Sequence, residues 1–513
     1  MVQQIRDARQ HSREAIRATS ARIATREVRA RRVAMVRDAR RDASSRDGSR
    51  RDATVLSRRA SRGAGRGARF HAMSDEVTDL LQHLIRNACV NDGTATSGHE
   101  VRSADLLETY LEGEGVDIER YEPAPGRTSL VARIEGTDPD APTLLLMGHT
   151  DVVPVNPDGW RHDPFGGELI DGEVWGRGAV DMLNLTASMA VATKRLARDG
   201  FRPKGTLVYL AVADEEALGS MGAGHLVDHE ADAVRADYVI TESGGIPIPS
   251  PTGLKLPVIV AEKGSHWAQL RVSGTPGHGS QPYKTDNALV TAAAVVQRIA
   301  EFQPRTEIHA IWRKFLEGME YPEDLVGPLL DPDHFVEACD ALPVGMGRQF
   351  HACTHTTFAP TIVHGGTKIN VIPDRVDLQI DIRTLPGHGE AEVRAMLDEA
   401  LGDLAPKVEL VSSQDDPSTA SPIDTPLWDS LGRVTQQFYE GSKIVPYMTV
   451  GATDARFFRR LGTTSYGFGL FSTNLTFEDY GAMFHGDDER VDVESLRLST
   501  DMWGVLAQDV LTG

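Results

Sequence analysis

From Met73 onwards, short unbroken apolar runs alternate with stretches whose apolar residues recur every three or four positions. The runs suit strands buried on both faces, and the periodic stretches suit helices that cover them. MSDEVTDLLQHLIRNACV, opening at Met73, predicts a first helix with Ser74 as N-cap and Glu76 and Asp79 in its first turn. A second helix is expected over Ser103–Gly113, then strands near Thr128–Ile134 and Thr143–Met147. Met182–Arg198 has helical spacing, and Gly200 stops it. GTLVYLAVADEE predicts a strand ending at Glu215 and Glu216, and Asp237–Ser243 predicts another. Strands alternating with helices imply an α/β fold, a mostly parallel sheet with ligands at the carboxyl ends of its strands. His149, Glu215, Glu216 and Glu242 all stand at such ends.

The pattern changes near Lys263. A strand over Ser265–Val272 is followed by GTPGHGSQP, a helix over Asn287–Phe302 and an irregular stretch to Thr356. Strands Ala359–His364 and Arg375–Arg383, a helix Ala391–Leu404 and a strand Val408–Ser412 complete a β-α-β-β-α-β order. This predicts a small α+β domain over residues 263–413, inserted into a larger one formed by 73–262 and 414–513. The larger part resumes with a helix Leu427–Tyr439, the turn VGATDARFF and a closing helix Val493–Leu511.

Charge divides the chain differently. Residues 1–72 hold twenty Arg, no Lys and seven acids, a net of +13, so the other 441 residues carry −33. The basic segment has one aromatic residue, Phe70, and too little apolar surface to offset its ordering entropy. It reads as a disordered arm for nucleic acid or an acidic partner, as a targeting segment, or as a stretch without function. The acidic body does not suit nucleic acid. Cys89, Cys339 and Cys353 form no disulfide framework, which points to a reducing cytoplasm, and no apolar run is long enough to span a membrane.

Candidate chemistry centres on GHTD. His149 and Asp151 leave a strand end on one face, an arrangement that serves a metal ligand with its orienting acid and equally a structural pair. Asp181 follows two glycines at a helix start, where it could equally be an N-cap. Taken together, His149, Asp181, Glu216, Glu242 and His485 supply two His and three acids. That set fits a pair of zinc ions sharing one carboxylate. Glu215 is left over beside a ligand, placed as general base. The ligand charge of −3 against +4 from two dications makes burial of these acids tolerable.

The motifs GHTDVVP, WGRGAVD, ADEEALGS, TESGG, GTPGHGSQP, KINVIPDRV with DIRTLPG, and FHGDDERV occur in order. With them the chain resembles the co-catalytic di-zinc amidohydrolase family of aminoacylase, carboxypeptidase G, acetylornithine deacetylase and succinyl-diaminopimelate desuccinylase. The resemblance implies a zinc-peptidase-like sheet with a ferredoxin-like lid that commonly dimerises. It implies that His149 and Glu242 bind one zinc, Glu216 and His485 the other, and that Asp181 bridges them; Co²⁺ or Mn²⁺ could substitute. Asp151 would hold the His149 tautomer and Glu215 would be the base. His278 would stabilise the oxyanion, in dimeric members from the neighbouring subunit. Asn370, Arg383, Gly451 and Thr453 would contact the substrate, Arg383 through a terminal carboxylate. Departures lie in the MLNL run after Asp181 and at Ala452. The expected activity is hydrolysis of an amide beside a free carboxylate, in a dipeptide, a peptide C-terminus or an N-acyl amino acid. Biosynthetic deacetylation or desuccinylation is the alternative. The long apolar stretch Glu307–Thr356 suits an apolar substrate pocket or plain packing. A two-metal phosphoesterase and a non-catalytic protein acting through its Arg-rich arm are the readings from other classes.

Overall fold

The Leu144–His149 strand lies at the centre of a ten-stranded sheet and is buried along its whole length. It pairs in parallel with Leu207–Val212 on one side and Tyr238–Thr241 on the other, and Thr464–Gly467 extends the parallel centre. One margin is antiparallel and the other mixed. Arg127–Ile134 and Asp117–Ala124 close one edge. On the other side Gly253–Glu262 runs antiparallel to Thr464–Gly467 and takes Lys443–Thr449 in parallel. This computed structural model describes residues 67–512, so the Arg-rich segment up to residue 66 lies outside the described residues.

The unbroken apolar runs have a direct cause in this arrangement. Leu144 and Leu146 belong to the core under helices Gly67–Asn87, Leu183–Arg198 and Val493–Leu511. Leu145 and Met147 belong to a second core with Leu226 and Phe458, on the opposite face. Alternate side chains enter different cores, so no position can be polar. Leu183–Arg198 comes so close to the central strand that a Cβ on Gly148 would meet the Thr186 hydroxyl at 2.4 Å. That hydroxyl donates to the His149 carbonyl at 2.8 Å, fixing the strand end.

The second sheet has four antiparallel strands in the order Thr357–Gly365, Arg375–Thr384, Gly264–Ser273, Val408–Asp416. Helices Ala288–Glu301 and Glu390–Leu401 cover one face and share a separate core with Leu270, Leu378 and Ile380. On the open face Trp267 stays 40% exposed. Along the chain the strands of this sheet and the two helices that cover it follow one another as β-α-β-β-α-β.

Three expectations need correction. The first helix begins at Gly67, with Ser74 inside it rather than capping it. The expected order lacks Gly253–Glu262, a strand beyond the parallel centre, because Pro257 in its middle reads as a strand breaker. The stretch before Thr356 is not irregular but forms helices Ala310–Met319, Glu323–Leu329, Phe335–Asp340 and Val344–Thr354. Its Trp312, Phe315, Phe335 and Phe350 are buried in the core of the large sheet, where Phe315 meets Tyr447 at 4.8 Å between ring centres. Residues 263–413 therefore do not form one continuous body. The chain leaves the small sheet after Glu301, packs against the large core, and returns at Thr357. Packing, not pocket lining, is the role of those aromatic residues.

Candidate metal centre and active site

Five side chains converge although they come from positions 149 to 485. His149 ends the central strand, and its Nε2 lies 3.1 Å from Asp181 Oδ1 and 4.0 Å from Glu242 Oε2. His485 places its Nε2 3.1 Å from Asp181 Oδ2 and 3.2 Å from Glu216 Oε2. The donor atoms of His149, Asp181 and Glu242 all lie within 4.8 Å of one another, as do those of Asp181, Glu216 and His485. Two triads thus share one carboxylate, each of whose oxygens faces a different imidazole.

The electrostatics suit a cation. Burial, then the charge of Asp181, pushes Glu242 up to about 8. Burial also raises Glu216, whose Oε1 is buried without a hydrogen-bond partner. Asp181 is pushed up by burial, but hydrogen bonds from His149 and His485 outweigh this and hold it below the usual carboxylate range. Donating to the Asp181 and Glu216 carboxylates raises His485 to about 10. Nitrogen and oxygen donors at this spacing, with an orphaned buried carboxylate oxygen among them, fit divalent metal ions.

The Asp151 assignment changes in detail. His149 Nδ1 lies 2.9 Å from the Asp151 main-chain carbonyl and 3.6 Å from its carboxylate. An Nδ1–H donated to that carbonyl leaves the Nε2 lone pair for metal. The Asp151 carboxylate accepts instead from the Glu215 amide at 3.3 Å, the Glu216 amide at 3.1 Å and Asn91 Nδ2 at 2.8 Å. One residue therefore orients a ligand through its backbone and anchors the Glu215–Glu216 turn through its side chain. Glu215 itself is half-buried, and burial, then the charge of Glu242, raises it well above the carboxylate range.

The substrate-side candidates sit apart from this cluster. His278 is exposed on a two-stranded ribbon, paired with Val371, and the Gly279 amide donates to the Asn370 carbonyl at 2.8 Å. His278 and Asn370 are thus brought together. Arg383, on the open face of the small sheet, is paired with Asp381 at 2.7 Å and lies over Trp267. Gly451 lies in the loop after Lys443–Thr449. Thr453 is not free for a substrate: its amide and hydroxyl both donate to Glu262, at 2.6 and 2.9 Å.

Sequence reasoning missed several supporting groups. Arg127 joins Glu100 at 2.6 Å and Asn91 at 3.2 Å behind Asp151. Arg456 donates to the Leu218 carbonyl just after the Glu215–Glu216 turn and pairs with Asp416. Asp454 is 1% exposed with neither carboxylate oxygen hydrogen-bonded, and burial raises it to about 7. The motif string TDAR holds two of them, Asp454 and Arg456, while Arg127 stands in no motif.

Residues 145–509 match the model of Peptidase family M20/M25/M40. The N-fatty-acyl-amino acid synthase/hydrolase of Xenopus tropicalis is 28% identical over 400 residues, covering 75% of each chain. Carboxypeptidase S of Saccharomyces cerevisiae is 29% identical over 406 residues, covering 70% of each. The fold is that of an M20 family metallo-carboxypeptidase from Sulfolobus solfataricus, with a TM-score of 0.62 at 17% identity, covering 85% of this chain and 99% of that one. A dinuclear metal binding peptidase from the M20 family of Bacillus subtilis gives a TM-score of 0.53 at 15% identity over 86% of this chain and 99% of that one. The chain belongs to peptidase family M20/M25/M40 and is a metal-dependent hydrolase acting on amide bonds.

Proposed function

We propose that the protein hydrolyses the amide bond of an N-acyl amino acid or dipeptide with a free carboxylate, using two divalent metal ions, zinc first, and Glu215 as general base. The observation that carries this reading is the pair of donor triads sharing Asp181. When bound, such ions acidify water and polarise a carbonyl. Glu215 stands beside the second triad with its amide tied to Asp151, so its carboxylate can take a proton from the attacking water and deliver it to the departing amine. His278 suits an oxyanion: its Nδ1 accepts from the Ser280 amide at 3.2 Å, which leaves Nε2–H as a free donor. Arg383 would exchange Asp381 for the substrate carboxylate, with Asn370 beside His278 and Gly451 at the same end. The relatives that act on fatty-acyl amino acids and on peptide C-termini favour an apolar acyl group or side chain over acetyl or succinyl. Pairing of two copies through the small sheet is part of this reading, as is a reducing cytoplasm, with all three cysteines free.

The test is a panel of N-acyl amino acids and dipeptides presented to the zinc-loaded protein. Hydrolysis is expected to be abolished by a strong chelator and recovered in part on adding zinc or cobalt. Full activity in metal-free protein would overturn the reading.

A further inference from the structure

The metal-ligand loops Gly176–Asp181 and His485–Glu489 meet although more than 300 residues separate them, and one buried side chain joins them. Glu489 is 0% exposed. Its Oε1 accepts the amides of Val180 at 2.7 Å and Asp181 at 3.0 Å. Its Oε2 accepts the amide of Gly178 at 3.0 Å and Arg177 Nη1 at 2.8 Å. The main chain repeats the link, since the Gly176 amide donates to the Glu489 carbonyl at 2.9 Å and Arg177 Nη2 to the His485 carbonyl at 3.4 Å. A carboxylate that fills both lone-pair directions of both oxygens with donors from one loop fixes that loop as a rigid body.

We propose that Glu489 is a positioning residue that sets the distance between His485 and Asp181, and so the geometry of the second metal triad. The inference rests on the two-metal reading above. Its asymmetry follows from where the ligands stand. His149 and Glu242 leave neighbouring central strands of a buried sheet, so two of the first triad's three donors have a rigid frame that does not depend on Glu489. His485 stands in a loop, at φ +57°, with its side chain 52% exposed and stacked on Phe484. Beyond its prospective partners Asp181 and Glu216, this loop is held mainly by Glu489 and by Arg161 on Asp488 at 2.7 Å. Outer partners of metal ligands typically control affinity by about 10- to 100-fold, and here the control falls on one ion of two.

Glu489→Gln keeps the volume but turns an amide NH₂ toward either the Arg177 and Gly178 donors or those of Val180 and Asp181. The zinc-loaded full-length protein and this variant are dialysed against graded free zinc, and metal per chain is counted by plasma emission. The wild type is expected to hold two ions. The variant is expected to hold the first as tightly and to release the second at free zinc at least about tenfold higher. Turnover should return in the variant at raised zinc, and the metal-free forms should melt together; a merely destabilising change would do neither. Arg177→Lys keeps the charge but gives up the reach to the His485 carbonyl. It should weaken the same ion by less, and it carries the test if Glu489→Gln does not fold. Two ions bound as in the wild type, or both lost in parallel, would overturn the proposal. A wild type that holds a single ion would instead overturn the two-metal reading.

Discussion

At the scale of single residues, two neighbouring glutamates stand in different surroundings. Glu216 turns its Oε2 to His485, while Glu215 faces the charge of Glu242 and belongs to neither triad. Glu215→Gln should therefore keep both metal equivalents and lower kcat by about 10²- to 10⁴-fold, with metal counted beside steady-state kinetics. Loss of metal in that variant would move Glu215 into the ligand set. The candidate donors stood out in the sequence because His149, Glu216 and Glu242 follow apolar strand runs closely, where a polar residue is conspicuous. Asn91 and Glu489 were not legible, since their partners, the Asp151 carboxylate and Arg127 for one and the amides of Gly178, Val180 and Asp181 for the other, become neighbours only in the folded chain. Thr453 misled for the converse reason. Its motif was visible, but Glu262, which takes up its hydroxyl, lies far away in the sequence.

At the scale of elements, the helices between Ala310 and Thr354 were hidden by their own caps. Pro322 and Pro343 precede two of them and Pro328 lies inside one, so the stretch reads as broken. Their hold on the large sheet is apolar and ionic. Trp312 is 2% exposed among Phe315, Phe335 and Phe350. Trp312→Ala should cost about 3–5 kcal/mol in denaturant unfolding. Glu320, at the end of the first of these helices, binds Lys255 at 2.5 Å and Lys443 at 2.7 Å, from two strands of the large sheet. Hydrogen bonds from Lys255, then Lys443 and Thr252, lower Glu320 from the ordinary 4.5 to about 2. Between those values the unfolded chain binds the extra proton, so this contribution is complete above about pH 4.5 and lost as pH falls to about 2. In urea titrations across that window, wild type and Glu320→Gln should converge as pH falls. A constant gap would show that Glu320 is not the titrating group.

At the scale of the whole molecule, the acidic body and the basic segment before it call for separate accounts. No helix of the described residues is long and apolar enough to cross a membrane. Every ligand of the proposed centre lies after residue 148, and the helix Gly67–Asn87 already packs on Leu183–Arg198. Deleting residues 1–66 should leave kcat/KM unchanged; a large drop would give the Arg-rich segment a part in the reaction. Finally, the scatter of ligands has a consequence in time. His485 follows Glu242 by 243 positions. At about 5–20 residues per second of synthesis, that separation is on the order of 10–50 s. A nascent chain therefore completes the donors of one triad well before those of the other. On the two-metal reading, the order in which ions can be captured follows the order of the chain, and the donors for the second are complete only once His485 has been made.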